Sequence, residues 1–275
     1  MSGYSFPPGN PCGLFGKGMM DGREVHVWEC CLTAGEGGSS RLQDTLSKDE
    51  KRRACRFHFE RDRRCYTVAH GMLKEILASY LDKDPRCLQF SPGSFGKPYL
   101  AASLNDPDIR FSLSRSQDLA LVAIADGMEI GVDLECIEPN PVVSEIARRY
   151  FSAKENASLS TLFGSAYIET FFRCWTRKEA FLKGKGIGLL QDPAGFEVSL
   201  LPGEPAALLD CSASPAEVKS WELFDLPVIP GYSASLAVQG HGSRIVYRKW
   251  VGGRKTMGYP KTTQTVLEDL SCRTE

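Results

Sequence analysis

The sequence lacks the features that identify several common classes of protein. Its 275 residues include only four histidines, and the formal net charge is −1. A chain without a basic excess gives no reason to expect nucleic acid or another polyanion as a partner. No apolar run is long enough to cross a membrane as a helix, and residues 1–22 show no basic segment followed by an apolar core. We therefore expect a cytoplasmic protein that binds neither nucleic acid nor membrane.

The ten cysteines do not form a recognisable metal or disulfide pattern. No Cys-x-x-Cys is present, and the histidines do not cluster near the cysteines, so a structural zinc site is not expected. The cysteines are scattered through predicted helices and strands, which favours reduced thiols, several of them buried as small apolar side chains. Cys136 follows Glu135 and Cys174 precedes Trp175, but we assign neither cysteine a catalytic role.

The first part of the chain has a loop-rich start and one long helix. Residues 1–22 are rich in glycine and proline, which predicts a flexible leader, and Gly35–Ser40 is predicted to be a loop. Ser47 followed by Glu50 is the pattern of a capping box, which opens a helical stretch. Apolar residues at helical spacing then predict a long helix that ends before Asp84.

Strands follow this helix. Phe111–Ser114 alternates apolar and polar residues, and Leu119–Ala125 is continuously apolar, as a fully buried strand would be. Asp126-Gly127 is a hairpin signal that leads into the next strand. Residues 250–275 are polar and aperiodic, which predicts a loose tail.

That next strand carries two acidic residues. Glu129 to Ile137 alternates apolar and acidic residues, with β-branched residues among the apolar ones. On a strand, residues two apart point to one face, so Asp133 and Glu135 are predicted side by side, roughly 7 Å apart.

A second helix carries a third carboxylate. Apolar residues at three- and four-residue steps predict a helix from about Ser165 to Gly184, with Glu179 and Lys183 on one face. Each pattern alone is more often a solvated strand face or an exposed helix. Three carboxylates brought together repel one another, and a hard divalent cation with oxygen ligands, most naturally Mg²⁺ bound to substrate phosphates, resolves that conflict.

The two patterns together resemble the signature of the Sfp-type 4′-phosphopantetheinyl transferases. Gly131 to Glu135 matches the family's Gly-Val-Asp-Leu-Glu segment, and Trp175 to Gly188 matches Trp-x-x-Lys-Glu-Ala-x-x-Lys-x-x-Gly-x-Gly. Phe95 to Tyr99 contains the family's Gly-Lys-Pro, and Phe111 to Ser116 is similar to its Phe-Ser-Leu-Ser-His-Ser segment. The resemblance extends from about Leu46 to about Val238.

The resemblance implies an α+β fold. In this family two similar α+β halves form a pseudo-dimer, each a small antiparallel sheet packed on a long helix, with the active site in the cleft. We place the halves at 23–126 and 127–249, the metal site in the second. Internal sequence identity between the halves is not visible, so the repeat rests on the resemblance alone.

The resemblance also implies a reaction. A 4′-phosphopantetheine group passes from coenzyme A to a serine of an acyl- or peptidyl-carrier protein, with Mg²⁺ (Mn²⁺ is an alternative), releasing adenosine 3′,5′-bisphosphate. Asp133, Glu135 and Glu179 hold the metal in this scheme. Glu179 removes the serine proton, and Lys183 donates a proton or charge to the leaving group. The family's contacts to coenzyme A map onto Lys51, Thr67, Lys97, Ser114 and Arg115.

Arg115 departs from the family pattern. The family has a histidine at this position, where it contacts the phosphate at the ribose end of coenzyme A. Arginine is always charged and can bind a phosphate through two donors, so we expect binding to survive. A role that needs a neutral imidazole is put in doubt. A family lysine in the basic stretch also falls on Ala54, so one contact is missing or is replaced by a neighbouring arginine.

Two other function classes stay open. One is a different metal-dependent phosphotransfer enzyme, such as a phosphodiesterase, which usually needs further histidine or aspartate ligands. The other is a non-catalytic module that binds coenzyme A or a carrier protein, in which Arg115 marks lost chemistry. Calorimetry separates them, since Mg²⁺-dependent binding of coenzyme A fits the transferase. We expect a monomer whose choice of carrier depends on the surface of residues 140–170.

Overall fold

The computed structural model describes residues 20, 22–33, 36–104, 108–138, 142–188 and 191–250. The α-helices in these ranges are α1 (Glu36–Thr45), α2 (Lys48–Ala54), α3 (Glu60–Leu81), α4 (Val143–Tyr150), α5 (Ala153–Leu159) and α6 (Gly164–Lys185). The strands are β1 (Glu24–Cys31), β2 (Phe90–Pro92), β3 (Pro98–Leu100), β4 (Ile109–Ser116), β5 (Leu119–Asp126), β6 (Ile130–Cys136), β7 (Phe196–Val198), β8 (Leu208–Cys211), β9 (Trp221–Asp225), β10 (Tyr232–Gln239) and β11 (Arg244–Trp250). The expected leader and tail lie almost wholly outside the described residues.

The core consists of two sheets between two long helices. The first sheet has the order β11-β1-β5-β4 and packs on α3, while the second has the order β6-β10-β9 and packs on α6. Apolar residues of β1 and β5 meet those of β6 and β10 between the sheets. This arrangement confirms the α+β prediction, with one sheet and one long helix in each half. The boundary of the halves at 126/127 stays a prediction.

The first sheet is not purely antiparallel, contrary to our expectation. β11 pairs in parallel with β1, from Glu24 opposite Arg244 to Cys30 opposite Trp250. A strand from the end of the described chain therefore completes the sheet of the first half. Its alternating apolar residues, Ile245 among them, are buried between the sheets, which explains why it docks there.

The long helix α3 and the capping box are confirmed. The loop prediction at Gly35–Ser40 is wrong from Glu36 onward, while Gly35 lies outside the described residues. The Ser47 side chain accepts from the Glu50 backbone amide, and the Glu50 carboxylate accepts from the Ser47 backbone amide. Helix α1 begins at Glu36 despite weak helix propensity, because Leu42 packs on α3. A Cβ placed on Gly71 of α3 would lie 2.7 Å from Leu42 Cβ, so this close packing requires a glycine.

The hairpin prediction at Asp126-Gly127 is also wrong. β5 pairs with β1 and β4, and β6 pairs with β10, so the chain leaves the first sheet for the second here. Gly127, with φ of 67°, supplies the left-handed turn. β5 is buried on both faces, since α3 covers one face and the second sheet the other.

Two predictions about composition can be compared with the structure. Every cysteine in the ranges given above is a free thiol. Among the helices that the structure describes, none has the length and apolar character required to cross a membrane.

Candidate active site

Strand β6 presents its acidic residues to helix α6. Ile130, Val132 and Leu134 are buried between the two sheets, so the alternate residues face the other way. Asp133 on that second face is buried, whereas Glu135 is half-buried. The alternation of the strand therefore places both carboxylates on one face of β6, as predicted.

Helix α6 approaches this strand very closely. A Cβ at Gly131 would collide with the Ala180 carbonyl and the Gly184 amide of the helix. Only glycine allows this contact, which brings the helix backbone against the strand backbone one strand repeat before Asp133. Glu179 and Lys183 lie on the same side of α6 as this contact.

Buried cations anchor α6 on its other sides. Arg177 is fully buried and donates to Asp225 from Nε (2.8 Å) and Nη2 (2.6 Å), and Lys178 is paired with buried Glu155 at 2.8 Å. The pattern around Glu179 and Lys183 alone is more often that of an exposed helix. Arg177 and Lys178 instead fix the rotation of α6 against β7 and β9, which orients Glu179.

Three serines of β4 accept hydrogen bonds from backbone amides at the edge of β6 that pairs with no strand of its own sheet. Their hydroxyls accept from alternate backbone amides: Ser112 from Val132 (3.0 Å), Ser114 from Leu134 (3.2 Å) and Ser116 from Cys136 (3.0 Å). We call Ser112, Ser114 and Ser116 the serine ladder. It joins the two sheets through side chains where no backbone ladder links them.

Two members of the serine ladder also bind the carboxylates. Ser114 donates to Oδ1 of Asp133 at 3.0 Å, and Ser116 donates to Oε2 of Glu135 at 3.1 Å. Each hydroxyl thus bridges an acidic side chain and the amide of the residue after it. The ladder orients both carboxylates toward α6.

Lys183 completes this arrangement. Its ammonium lies 2.5 Å from Oδ1 of Asp133 and donates to Oγ of Ser114 at 2.9 Å. One cation therefore links α6, β6 and β4. Glu179, one turn earlier on α6, forms no hydrogen bond or ion pair within the described residues.

The electrostatics of the site favour an added cation. Burial raises the pKa of Glu135, and the charge of Asp133 raises it further, against the opposing effects of Ser116 and Lys183. Burial also raises the pKa of Glu179, again with Asp133 second and Lys183 opposing. Oδ2 of Asp133 is buried and has no hydrogen-bond partner among the described residues. An unpartnered carboxylate oxygen beside two carboxyls of raised pKa fits a hard divalent ion.

The described residues do not contain a preassembled metal centre. No group of three or more histidine, cysteine, aspartate or glutamate side chains in these ranges is close enough to hold an ion. Lys183 instead occupies Oδ1 of Asp133. The donor set fits Mg²⁺, and the metal site stays a prediction.

A basic cavity of about 370 Å³ opens between α1, α2 and α3. Lys51, Arg63, Arg64 and Thr67 are among the residues that line it. Arg63 is paired with Glu60, and the Thr67 hydroxyl donates to the Arg63 carbonyl at 2.9 Å. Lys51 forms no ion pair in the part of the chain that is described, so its ammonium is available to an anion. The structure therefore brings Lys51 and Thr67 together.

Arg115 and Ser114 lie on opposite faces of β4. Ser114 faces the carboxylates, while the exposed Arg115 guanidinium lies 5.9 Å from the ring centroid of Phe57. Phe57 packs against a small apolar cluster of Leu46, Ala54 and Tyr66, and the first two also line the basic cavity. Arg115 thus lies beside the apolar cluster that adjoins the basic cavity.

Lys97 does not line the basic cavity. Its ammonium donates to Glu129 Oε2 (2.7 Å) and to the carbonyls of Ile130 (3.0 Å) and Gly184 (2.8 Å). Its side chain is only 8% exposed. Its expected contact to coenzyme A stays a prediction, with all three ammonium donors bound within the protein.

Sequence reasoning missed Ser112 and Ser116, as well as the roles of Arg177 and Lys178. The alternation of serines along Phe111 to Ser116 was visible, and it matched the family segment. What was not visible is that these serine hydroxyls bind the backbone of β6, because those contacts depend on the two sheets packing together.

Comparisons with known proteins agree with the geometry. A family model described as "4′-phosphopantetheinyl transferase superfamily" matches residues 129–237, and one described as "4′-phosphopantetheinyl transferase, N-terminal" matches residues 38–126. The 4′-phosphopantetheinyl transferase HetI of a Nostoc species is 38% identical over 221 residues, which cover 80% of this chain and 89% of HetI. The Bacillus subtilis 4′-phosphopantetheinyl transferase Sfp is 27% identical, over 72% of this chain and 84% of Sfp.

A solved structure is also similar over part of the chain. The holo-[acyl-carrier-protein] synthase of Thermotoga maritima aligns with a TM-score of 0.32 and 18% identity, covering 43% of this chain and 66% of that one. The sequence matches carry the assignment. Together they span most of the chain and both of its long helices, and on that basis the chain belongs to the 4′-phosphopantetheinyl transferase superfamily.

Proposed function

We propose that this enzyme, a coenzyme A-dependent 4′-phosphopantetheinyl transferase, uses Glu179 as its base and Asp133, Glu135 and Glu179 as the ligands of Mg²⁺. The observation that carries the proposal is the contact of Asp133 with Lys183 and Ser114 where α6 meets β6, with one buried Asp133 oxygen unpartnered among the described residues and with the charge of Asp133 acting on both Glu135 and Glu179. The reaction moves phosphopantetheine from coenzyme A to a carrier-protein serine. In it, the serine oxygen forms a bond to phosphorus and the bond to adenosine 3′,5′-bisphosphate breaks.

Glu179 is the residue best suited to take the serine proton. Its carboxyl has no competing hydrogen bond in the described chain, so one of its oxygens is available to a substrate hydroxyl. It is half-buried, so a substrate hydroxyl can reach it. When bound, Mg²⁺ supplies charge neutralisation for the diphosphate.

Lys183 supplies the positive charge for the leaving group. Its side chain is about one-third exposed, and its ammonium already lies beside the Asp133 carboxylate. Ser114, which accepts from this ammonium, keeps it at the edge of β4. A cation held in place before the reaction stabilises developing negative charge without reorganising.

We further propose that coenzyme A lies across the edge of β4. Its diphosphate is bound on the Ser114 face, beside the carboxylates, and its 3′-phosphate on the Arg115 face, in the basic cavity with Lys51 and Thr67. The opposite orientation of Ser114 and Arg115 supports this path. A guanidinium and an ammonium are suited to binding a phosphomonoester, which supports retained activity despite the change from histidine.

An apolar groove is our candidate for carrier docking. It has a volume of about 870 Å³ and is lined by residues from Ile137 to Glu169, among them Phe163 and Ile168. Phe163 is 83% exposed, which is unusual for a phenylalanine outside an interface. The groove begins at Ile137, two residues after Glu135, so a protein bound there has its reactive serine near the site. Residues 139–141, which lie between β6 and α4, are outside the described ranges.

Intact mass measurement tests the function. An apo carrier protein incubated with this protein, coenzyme A and Mg²⁺ should gain one phosphopantetheine group, and chelation of the metal should prevent the gain. Fatty-acid, polyketide and peptide carriers should be tested in parallel, since partner range is open. Coenzyme A binding without transfer to any of them would instead favour a non-catalytic binding protein and would make Arg115 the first residue to revert to histidine.

Phe163 gives a separate test of the docking groove. Phe163→Ala should raise KM for the carrier while leaving KM for coenzyme A unchanged. Leu209, another exposed apolar residue, on β8, provides the control variant Leu209→Ala. Equal carrier KM values for the wild type and Phe163→Ala would contradict the groove assignment.

A further inference from the structure

Lys97 links helix α6 and strand β6, the two elements that carry the site, although it belongs to neither. It lies in the turn between β2 and β3, outside both α6 and β6, and its ammonium donates to acceptors of both elements. The carbonyl of Ile130 belongs to the first residue of β6, and that of Gly184 to the last turn of α6. Glu129 supplies the balancing charge at 2.7 Å.

These acceptors adjoin the reactive groups. Gly184 follows Lys183 directly, and Ile130 precedes Asp133 by three residues. The last carbonyls of a helix are its negative end, so a buried cation there stabilises the helix terminus. Lys97 therefore holds the end of α6 at the place where Gly131 already brings helix and strand into backbone contact.

The stem of Lys97 is also packed in place. A Cβ at Gly186, the left-handed cap of α6, would lie 3.0 Å from Lys97 Cδ and 3.1 Å from the Tyr99 hydroxyl. The side chain thus occupies the space beside the cap, and its head is 8% exposed. A phosphate could bind this ammonium only by displacing one of its three protein acceptors.

We propose that the Lys97 side chain is a positioning residue, which holds the end of α6 against the start of β6 and so sets the contact between Lys183 and Asp133, and does not bind coenzyme A. The effect of a Lys97 variant on kcat tests this proposal only if the proposed transferase function is right. Its effects on hydrogen exchange and on coenzyme A binding test the proposal whether or not that function is right.

The test is Lys97→Met, with Lys83→Met as the matched control because Lys83 is exposed beyond the end of α3. Displacement of Lys183 by a fraction of an ångström should lower kcat by about tenfold to a hundredfold. The Kd for coenzyme A, measured by calorimetry, should stay within about threefold of wild type, since no contact to it is lost. Amide hydrogen exchange should accelerate at residues 184–188 and not at residues 164–170, because only the end of α6 loses its anchor.

A different result would overturn the proposal. A Kd for coenzyme A that rises tenfold or more with kcat unchanged would make Lys97 a binding residue. Unchanged exchange at residues 184–188 would show that it anchors nothing. If Lys97→Met does not fold, Glu129→Gln removes the charge that balances Lys97, together with the ion pair of Glu129 with Arg110, for which Arg110→Gln is the control. Glu129→Gln should cause the same changes as Lys97→Met to a smaller extent, and unchanged exchange in that variant would also overturn the proposal. Failure of the wild type to modify any carrier would refute the proposed function, while exchange and coenzyme A binding would still decide the role of Lys97.

Discussion

Lys183 and Asp133 form an ion pair, with Nζ 2.5 Å from Oδ1, across the contact of α6 with β6. The pair connects residues fifty positions apart in the chain. A buried carboxylate is costly unless a cation or hydrogen bonds compensate for its charge, and Asp133 has Lys183 and Ser114 on one oxygen. Its other oxygen has no partner among the described residues. The ion pair thus both stabilises the site and leaves one oxygen available to a ligand.

Glu179→Gln should abolish transfer without harming the fold. Loss of a general base lowers kcat by roughly a hundredfold to ten-thousandfold. Stability should stay the same or rise slightly, because burial and the charge of Asp133 raise the pKa of Glu179, so its ionised form is less favourable in the folded protein than in the unfolded chain. Intact mass of the carrier and thermal unfolding of the variant measure the two effects. Asp210→Asn, at an exposed position on β8, is the control for loss of a carboxylate; full activity of Glu179→Gln would refute the assignment.

Ser116→Ala should weaken metal binding. The Ser116 hydroxyl orients Glu135, and loss of such a supporting hydrogen bond typically lowers metal affinity about tenfold or more. Ser112→Ala is the matched control, since the Ser112 hydroxyl accepts from the Val132 amide but binds no carboxylate among the described residues. That control should lose about 1 kcal/mol of stability with its metal affinity intact. Titration with Mn²⁺ in the presence of coenzyme A provides the comparison, and equal losses of affinity in both variants would point to general damage of the serine ladder.

Lys51→Met should impair recognition of the 3′-phosphate of coenzyme A. A charge-assisted hydrogen bond of about 1.5–3 kcal/mol corresponds to a rise in KM of about tenfold to a hundredfold. With 3′-dephospho-coenzyme A as substrate, wild type and variant should have the same KM, because the group that Lys51 binds is absent. Lys48→Met, at an exposed position on the same helix, should change neither value. A loss that is equal with both substrates would place Lys51 elsewhere on coenzyme A.

His26 should make the protein less stable as the pH falls from 7 to 5. Its ring is fully buried, with Nδ1 2.6 Å from the Tyr80 hydroxyl, and burial followed by the charge of Arg248 lowers its pKa to about 3. The unfolded chain binds the proton near pH 6.5 and the folded chain only near 3. The free energy of unfolding therefore falls across that window, by about 1.4 kcal/mol per pH unit once the pH is well below 6.5.

Urea unfolding at pH 7, 6 and 5 measures this dependence. His26→Gln should be less stable at pH 7, since the Tyr80 hydroxyl loses its hydrogen bond with the His26 ring, but its free energy of unfolding should change less with pH. His241→Gln removes a surface histidine and should keep the wild-type slope. The same slope for His26→Gln and wild type would assign the pH dependence to other groups.

Local sequence patterns predicted the secondary structure that carries the site. Alternation around Asp133 and Glu135 and the helical period around Glu179 and Lys183 predicted the strand and the helix. Each of these preferences acts between residues a few positions apart. The family motifs then identified which residues form the site. The same local reasoning failed at Glu36, where α1 forms because Leu42 packs on Gly71, and at Gly127, where the chain changes sheets rather than forming a hairpin.

The sequence by itself determined the secondary structure that carries the chemistry, since periodicity and capping are encoded in neighbouring residues. Only the tertiary structure decided that β11 joins the first sheet, that the serine ladder supports the carboxylates, and that Lys97 binds backbone carbonyls of the site. The physical reason is the same in each case. These contacts depend on the packing of two sheets and two helices, which brings together residues that are distant in the chain and whose own segments contain no sign of their partners.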